Sequence, residues 1–218
     1  MSKKQALISL ILNSLIVLGT TGVVISYFFT KLDYLDSPFQ RFCFFTTDSN
    51  ILSAIVALVV VIFDIKILRG KNKALPHVVE LFKFVAVTSV ILTFCTVMVL
   101  LVPVYGADRE LLGTAAYMHV GGPMLALLSF TLVEKSIRLS VPEAFLCLVP
   151  VVIYGAVYFV EVILIGVQNG GWPDFYSFNK NGNWMLTVVI ILAATIAIGF
   201  LVRLLHNINI KKQNRVRS

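Results

Sequence analysis

Apolar residues come in six long runs along this 218-residue chain, near 7–30, 43–65, 82–104, 115–133, 144–167 and 184–205. Each can cross a hydrocarbon core of roughly 30 Å, which takes about 20 helical residues. The pattern predicts an all-α polytopic membrane protein of six transmembrane helices. No internal repeat, low-complexity tract or long linker divides the chain, so residues 1–218 are expected to form one domain. The first run follows Lys3 and Lys4, as a signal sequence would. It is expected to be retained, because it outruns the usual apolar core of about 7–15 residues and has no clear small-residue cleavage site.

Polar residues interrupt these runs in two places. The second run opens with "FCFFTTDSN" at 42–50, an unbroken polar row from Thr46 to Asn50. Helix capping is one reading, since a Thr or Asp at a helix start accepts hydrogen bonds from free backbone N–H groups. Helical spacing gives another, because residues three, four and seven apart share a face. Thr46, Ser49, Asn50 and Ser53 then form one stripe while Asp48 points away, and the stripe is expected to meet other helices or a wet cavity. Two further stripes match it: Ser89, Thr93 and Thr96 on the third run, and Tyr154, Tyr158 and Glu161 on the fifth. A carboxylate inside a span is costly against lipid, so Glu161 is expected to face the bundle, carry a proton or reach the outer headgroups.

The second interruption is "YMHVGGPM" on the fourth run. Pro123 has no N–H and should leave the carbonyl of residue 119 unpaired, with Gly121 and Gly122 easing the bend. A freed carbonyl within a bilayer needs protein or water, so a hydrated pocket is expected near His119. Its imidazole could tie two helices together, or act as a base towards a poor nucleophile such as Thr46 at a comparable depth. His77 and His206 fall at the ends of their runs.

Composition agrees with a membrane protein: 58% hydrophobic residues, 13% charged, and a mean hydropathy of +0.91. Charge placement sets the expected orientation, because Lys and Arg collect on the cytoplasmic side of short loops. Lys3, Lys4, Lys66, Arg69, Lys71, Lys73, Lys83, Lys135, Arg138, Arg203, Lys211, Lys212, Arg215 and Arg217 fall on one side, against Lys31, Arg41, Arg109 and Lys180 on the other. Both termini are therefore expected to be cytoplasmic. The net charge of +7 is explained by anionic headgroups at that face and calls for no nucleic-acid partner. Cys43, Cys95 and Cys147 show neither a disulfide framework nor ligand spacing for zinc, so no metal or other cofactor is expected.

The six runs, the Phe-Thr-x-x-Ser-Asn motif (Phe45, Thr46, Ser49, Asn50), and the Met-His followed by Pro and a terminal Glu in "YMHVGGPMLALLSFTLVE" resemble the androgen-induced protein family. That family includes the androgen-dependent regulator of tissue factor pathway inhibitor, and the chain looks like a prokaryotic member. The resemblance implies an intramembrane threonine hydrolase that cleaves fatty acid esters of hydroxy fatty acids or similar acyl esters. Thr46 would be the nucleophile and His119 the base, in a bacterial plasma membrane. The family's second histidine, three residues before the catalytic one, is Ala116 here, and its last outer loop is matched loosely by "GGWPDFYSF" at 170–178. Ser49, Asn50, Ser53, Tyr158 and Glu161 are the candidates for oxyanion or substrate contacts, and Trp172, Pro173, Phe175 and Tyr176 for an aromatic belt or cover. The alternative is a lipid or small-molecule transporter or binding protein without catalysis, or a scaffold in which the stripes only join helices. No repeat symmetry or matched pair of broken helices favours a transporter.

Overall fold

The computed structural model describes residues 1–30, 37–134, 137–179 and 182–217, with the side chains of 209 and 211–217 left aside. Lys31, Lys135 and Lys180, and the side chains of Lys211, Lys212, Arg215 and Arg217, lie outside what is described. Six helices are long and apolar enough to cross a membrane: α1 (Lys3–Ser26), α2 (Phe45–Leu68), α3 (His77–Tyr105), α4 (Gly113–Val133), α5 (Val141–Ile165) and α6 (Trp184–Ile208). The backbone of α6 stays helical to Arg217. No strand occurs among the described residues. The protein is a helical integral membrane protein.

α1 to α4 form the packed centre and α5 and α6 flank it. Ile16, Ala57, Phe84, Val87, Val90, Ala126 and Phe130 interlock at the middle of the bundle, joined by Cys147 from α5 and Val202 from α6. Much of the apolar surface of α5 and α6 stays exposed, including Ile153, Leu164, Leu186 and Val189, as a lipid-facing surface requires. Small residues permit the closest crossings. A Cβ on Gly19 would lie 2.4 Å from the Tyr117 ring, so α1 and α4 meet there only because residue 19 has no side chain.

Both termini lie at one end of the bundle. The Met1 ammonium donates to the Lys73 carbonyl at 2.8 Å, His77 Nε2 meets Glu143 Oε1 at 2.5 Å, and Arg203 Nε donates to the carbonyls of Leu139 and Ser140. These contacts gather the α2–α3 and α4–α5 connections at the terminal end.

Two expectations about the third span fail at the terminal end. α3 begins at His77 rather than near residue 82, because Glu80 and Lys83 depress the local hydropathy yet sit inside the helix and are fully buried. Lys83 therefore does not reach headgroups. Its Nζ donates to Asn13 Oδ1 and stands 4.0 Å from Glu134 Oε1, so neighbouring helices solvate it where lipid could not. Arg41, read as an outer-loop charge, is also buried: it donates to Thr30 Oγ1 at 3.1 Å and to the Thr30 carbonyl at 2.7 Å, beneath the Tyr27 ring.

Candidate functional site

The polar row forms the first two turns of α2, and it does not cap the helix. The residue before α2, Phe44, has extended backbone and offers no side-chain acceptor. A distant residue supplies it: the Phe45 N–H donates to the Tyr176 phenol oxygen at 3.1 Å. Released from capping, the row divides by face. Asp48 is exposed, whereas Thr47, Ser49, Asn50 and Ser53 are buried and Thr46 is half-buried.

Asn50 fastens α2 to α4. Its Nδ2 donates both to the Thr46 carbonyl at 2.8 Å and to the Met118 carbonyl at 2.9 Å. The second acceptor is free for a reason the sequence only half revealed. The backbone of Tyr117–Gly121 is π-helical, with the Gly122 N–H reaching back five residues to Tyr117. In that register the missing N–H of Pro123 orphans the carbonyl of Met118, not that of residue 119 as α-helical counting predicted. Asn50 satisfies this orphan, and Gly122 makes room for it: a Cβ there would lie 2.8 Å from Asn50 Oδ1.

Both predicted oxyanion donors on this face are thus engaged. Asn50 has two N–H groups and both are given to carbonyls. The Ser49 hydroxyl lies 3.2 Å from the Thr46 carbonyl and 2.9 Å from Thr93 Oγ1, which joins α2 to α3. Ser53, one turn deeper, has a buried hydroxyl with no partner.

Thr46 opens on a cavity of about 60 Å³, enough for roughly four waters. Apolar side chains of α3, α5 and α6 wall it, among them Leu92, Leu100, Val151 and Ile191. Thr46, Thr93, Thr96, Tyr154 and Tyr176 also line it. Tyr176 interacts with the side chains of Thr46 and Tyr154, and burial pushes its phenol up to about 12, so it is a neutral donor at physiological pH. Tyr154 in turn donates to the Cys43 carbonyl at 2.8 Å.

His119 is not among the residues that line this cavity. Its Nδ1 lies 2.7 Å from the Glu110 carbonyl and 3.6 Å from a Glu110 carboxylate oxygen. Facing a carbonyl, Nδ1 must carry the proton, which leaves the lone pair of a neutral ring on Nε2. No hydrogen bond joins His119 to Thr46 among the described residues. The structure ties their backbones together through Asn50 and leaves their side chains unlinked.

Tyr158 and Glu161 are not among the residues that line the cavity. The Tyr158 hydroxyl donates to Asp174 Oδ1 at 2.7 Å and receives the Tyr176 N–H at 3.4 Å, so it organises the loop that carries Tyr176 and does not line the cavity. Asp174 also receives the N–H groups of Phe178 and Asn179. Glu161, half-buried, contributes its carbonyl to the turn at Gly166, and its side chain makes no hydrogen bond among the described residues. Trp172, Phe175 and Phe178 pack around Tyr158, which makes 170–178 a folded aromatic plug over the site.

The chain matches no protein-family model, no curated protein and no solved structure.

Sequence reasoning passed over Glu110 and Tyr176. Glu110 reads as a loop acid between two spans, and only its position beside the fourth helix could have drawn attention to it. Tyr176 was grouped with the interfacial aromatics, although "PDFY" is a turn sequence in which the Asp fixes the loop.

Proposed function

We propose that this protein hydrolyses long-chain acyl esters within the membrane, with Thr46 as nucleophile and His119 as general base. The reading rests on one observation above others: Thr46 lines an apolar cavity, in a turn bonded through Asn50 to the turn bearing the histidine. The hydrogen bond from Nδ1 to Glu110 supports it, since it orients the ring and leaves Nε2 to accept a proton.

In this mechanism Thr46 Oγ1 attacks the ester carbonyl carbon while its proton passes to His119 Nε2, directly or through one water. Collapse of the tetrahedral species expels the alcohol, which takes that proton, and leaves an acyl-threonine. Water, deprotonated by the same nitrogen, attacks the acyl carbon, and the fatty acid departs as Thr46 is reprotonated. Tyr176 replaces Asn50 and Ser49 as the donor to the oxyanion, because its phenol already reaches Thr46. The same reading places the chain among relatives of the androgen-induced protein family, in a bacterial plasma membrane with both termini cytoplasmic.

The test is hydrolysis of long-chain acyl esters, including a fatty acid ester of a hydroxy fatty acid, by purified wild type, Thr46→Ala and His119→Ala. Each substitution is expected to lower kcat by about 10²–10⁴-fold. Undiminished turnover in both variants would overturn the assignment.

A further inference from the structure

At the terminal end, far along α2 from Thr46, four helices bury a charged cluster that the proposed hydrolysis does not use. Asp64, Lys83 and Glu134 are each fully buried, together with Ser9, Asn13 and Ser129. One oxygen of Glu134 is heavily solvated: Oε1 receives Asn13 Nδ2 at 2.6 Å, the Ser9 hydroxyl at 3.2 Å and the Ser129 hydroxyl, with Lys83 Nζ 4.0 Å away. The other oxygen, Oε2, has no partner, and neither has Oδ1 or Oδ2 of Asp64. Ser9 also interacts with Asp64, but its single hydroxyl proton is directed at Glu134.

Among the described residues the charge balance is one cation short. Both Glu134 and Lys83 act electrostatically on Asp64, so the three groups form one cluster. Lys83 offsets a single carboxylate, and the second, fully buried with two unpartnered oxygens, cannot stand alone: a buried charge is paired, coordinated or neutralised. Other charges around the cluster are engaged elsewhere. Glu80, one turn before Lys83, accepts the Ile137 N–H at 3.1 Å, and His206 lies between the carbonyls of Phe130 and Ile137. With Asp64 and Glu134 set against Lys83 alone, the missing charge is a single positive one.

We propose that Asp64 and the free oxygen of Glu134 bind one monovalent cation, an alkali ion or a proton, between α1, α2 and the end of α4. Bare carboxylate oxygens beside a serine hydroxyl are the hard ligands an alkali ion selects. A proton would satisfy the same balance by converting Asp64 to a neutral donor.

Two measurements on the purified full-length protein separate the sources. In the first, thermal unfolding is followed at fixed pH and ionic strength as choline chloride is replaced by sodium or potassium chloride. Occupancy by an alkali ion raises the wild-type Tm by roughly 3–6 °C at tenfold excess over the midpoint, and Asp64→Asn loses that response. In the second, infrared spectra are searched for the carbonyl stretch of a protonated carboxyl group. Such a band without salt dependence, absent from Asp64→Asn, assigns the proton. Carbon-13 aspartate in the wild type shifts an Asp band and leaves a Glu band unmoved, so the assignment stands even if the variant does not fold. The absence of both a cation-dependent Tm and a carboxyl band from aspartate would overturn the proposal.

Discussion

Gly122→Ala isolates the fastening between α2 and α4. The added Cβ would lie 2.8 Å from Asn50 Oδ1, and Asn50 is held by its two bonds to the carbonyls of Thr46 and Met118. To clear the methyl, Asn50 must release both bonds. Within a membrane such bonds average about 0.6 kcal/mol, and about 1 kcal/mol is usual in proteins generally. Their loss therefore costs roughly 1–2 kcal/mol, with an orphaned Met118 carbonyl in addition. Alanine returns up to about 1 kcal/mol of helix propensity, which leaves a net loss near 1 kcal/mol and a Tm lower by about 2–4 °C. In an Asn50→Ala background the methyl meets no amide, only propensity remains, and Gly122→Ala should become stabilising. The assay is a double-mutant cycle in detergent, with Tm measured for wild type, both single variants and the double variant. An equal effect of Gly122→Ala in both backgrounds would refute the packing argument.

Four more outcomes are expected from three variants. Gly19→Ala puts a carbon 2.4 Å from the Tyr117 ring, and the crossing of α1 and α4 should lose about 1–3 kcal/mol, seen as a lower Tm. Tyr176→Phe removes the acceptor for the Phe45 N–H and the phenol at Thr46, and should lower ester turnover by at least about tenfold. Its phenol is raised from 10.0 to about 12, so the folded state holds a proton that the unfolded chain gives up first. That stabilisation is complete below pH 10 and lost as pH rises towards about 12, so the wild type should lose more stability over this interval than Tyr176→Phe. Glu110→Gln keeps the backbone carbonyl that fixes His119 Nδ1 and should retain more turnover than His119→Ala, measured as kcat on the same ester.

Much of the architecture was legible in the chain. Runs of apolar residues predict helices directly, because a bilayer leaves the backbone no other way to satisfy its hydrogen bonds outside a closed barrel. The 3.6-residue period separated Asp48, which is exposed, from Ser49, Asn50 and Ser53, which are buried. What escaped depends on partners distant in sequence. Lys83 and Glu80 read as the edge of a loop since hydropathy treats each residue alone, whereas Asn13 and Glu134 from other helices accommodate Lys83. Asp64, within an apolar run, gave no local sign of its cluster. The π-helical register at 117–121 shifted the freed carbonyl by one residue, which only the backbone could reveal. Asn50 and Ser49 had the right chemistry for oxyanion donors, but Asn50 gives its hydrogens to the Met118 and Thr46 carbonyls, and the Ser49 hydroxyl is bonded to the Thr46 carbonyl and Thr93 Oγ1.

The role of Thr46 is tested most directly by trapping its acyl intermediate. Wild-type protein would be mixed with a long-chain acyl ester, quenched in acid within one turnover, digested, and the peptide containing residue 46 weighed. The account predicts an added acyl mass on Thr46 that appears in wild type, accumulates far more slowly in His119→Ala, and is absent from Thr46→Ala. Turnover of the ester with the acyl group found on another residue, or unchanged turnover in Thr46→Ala, would contradict it.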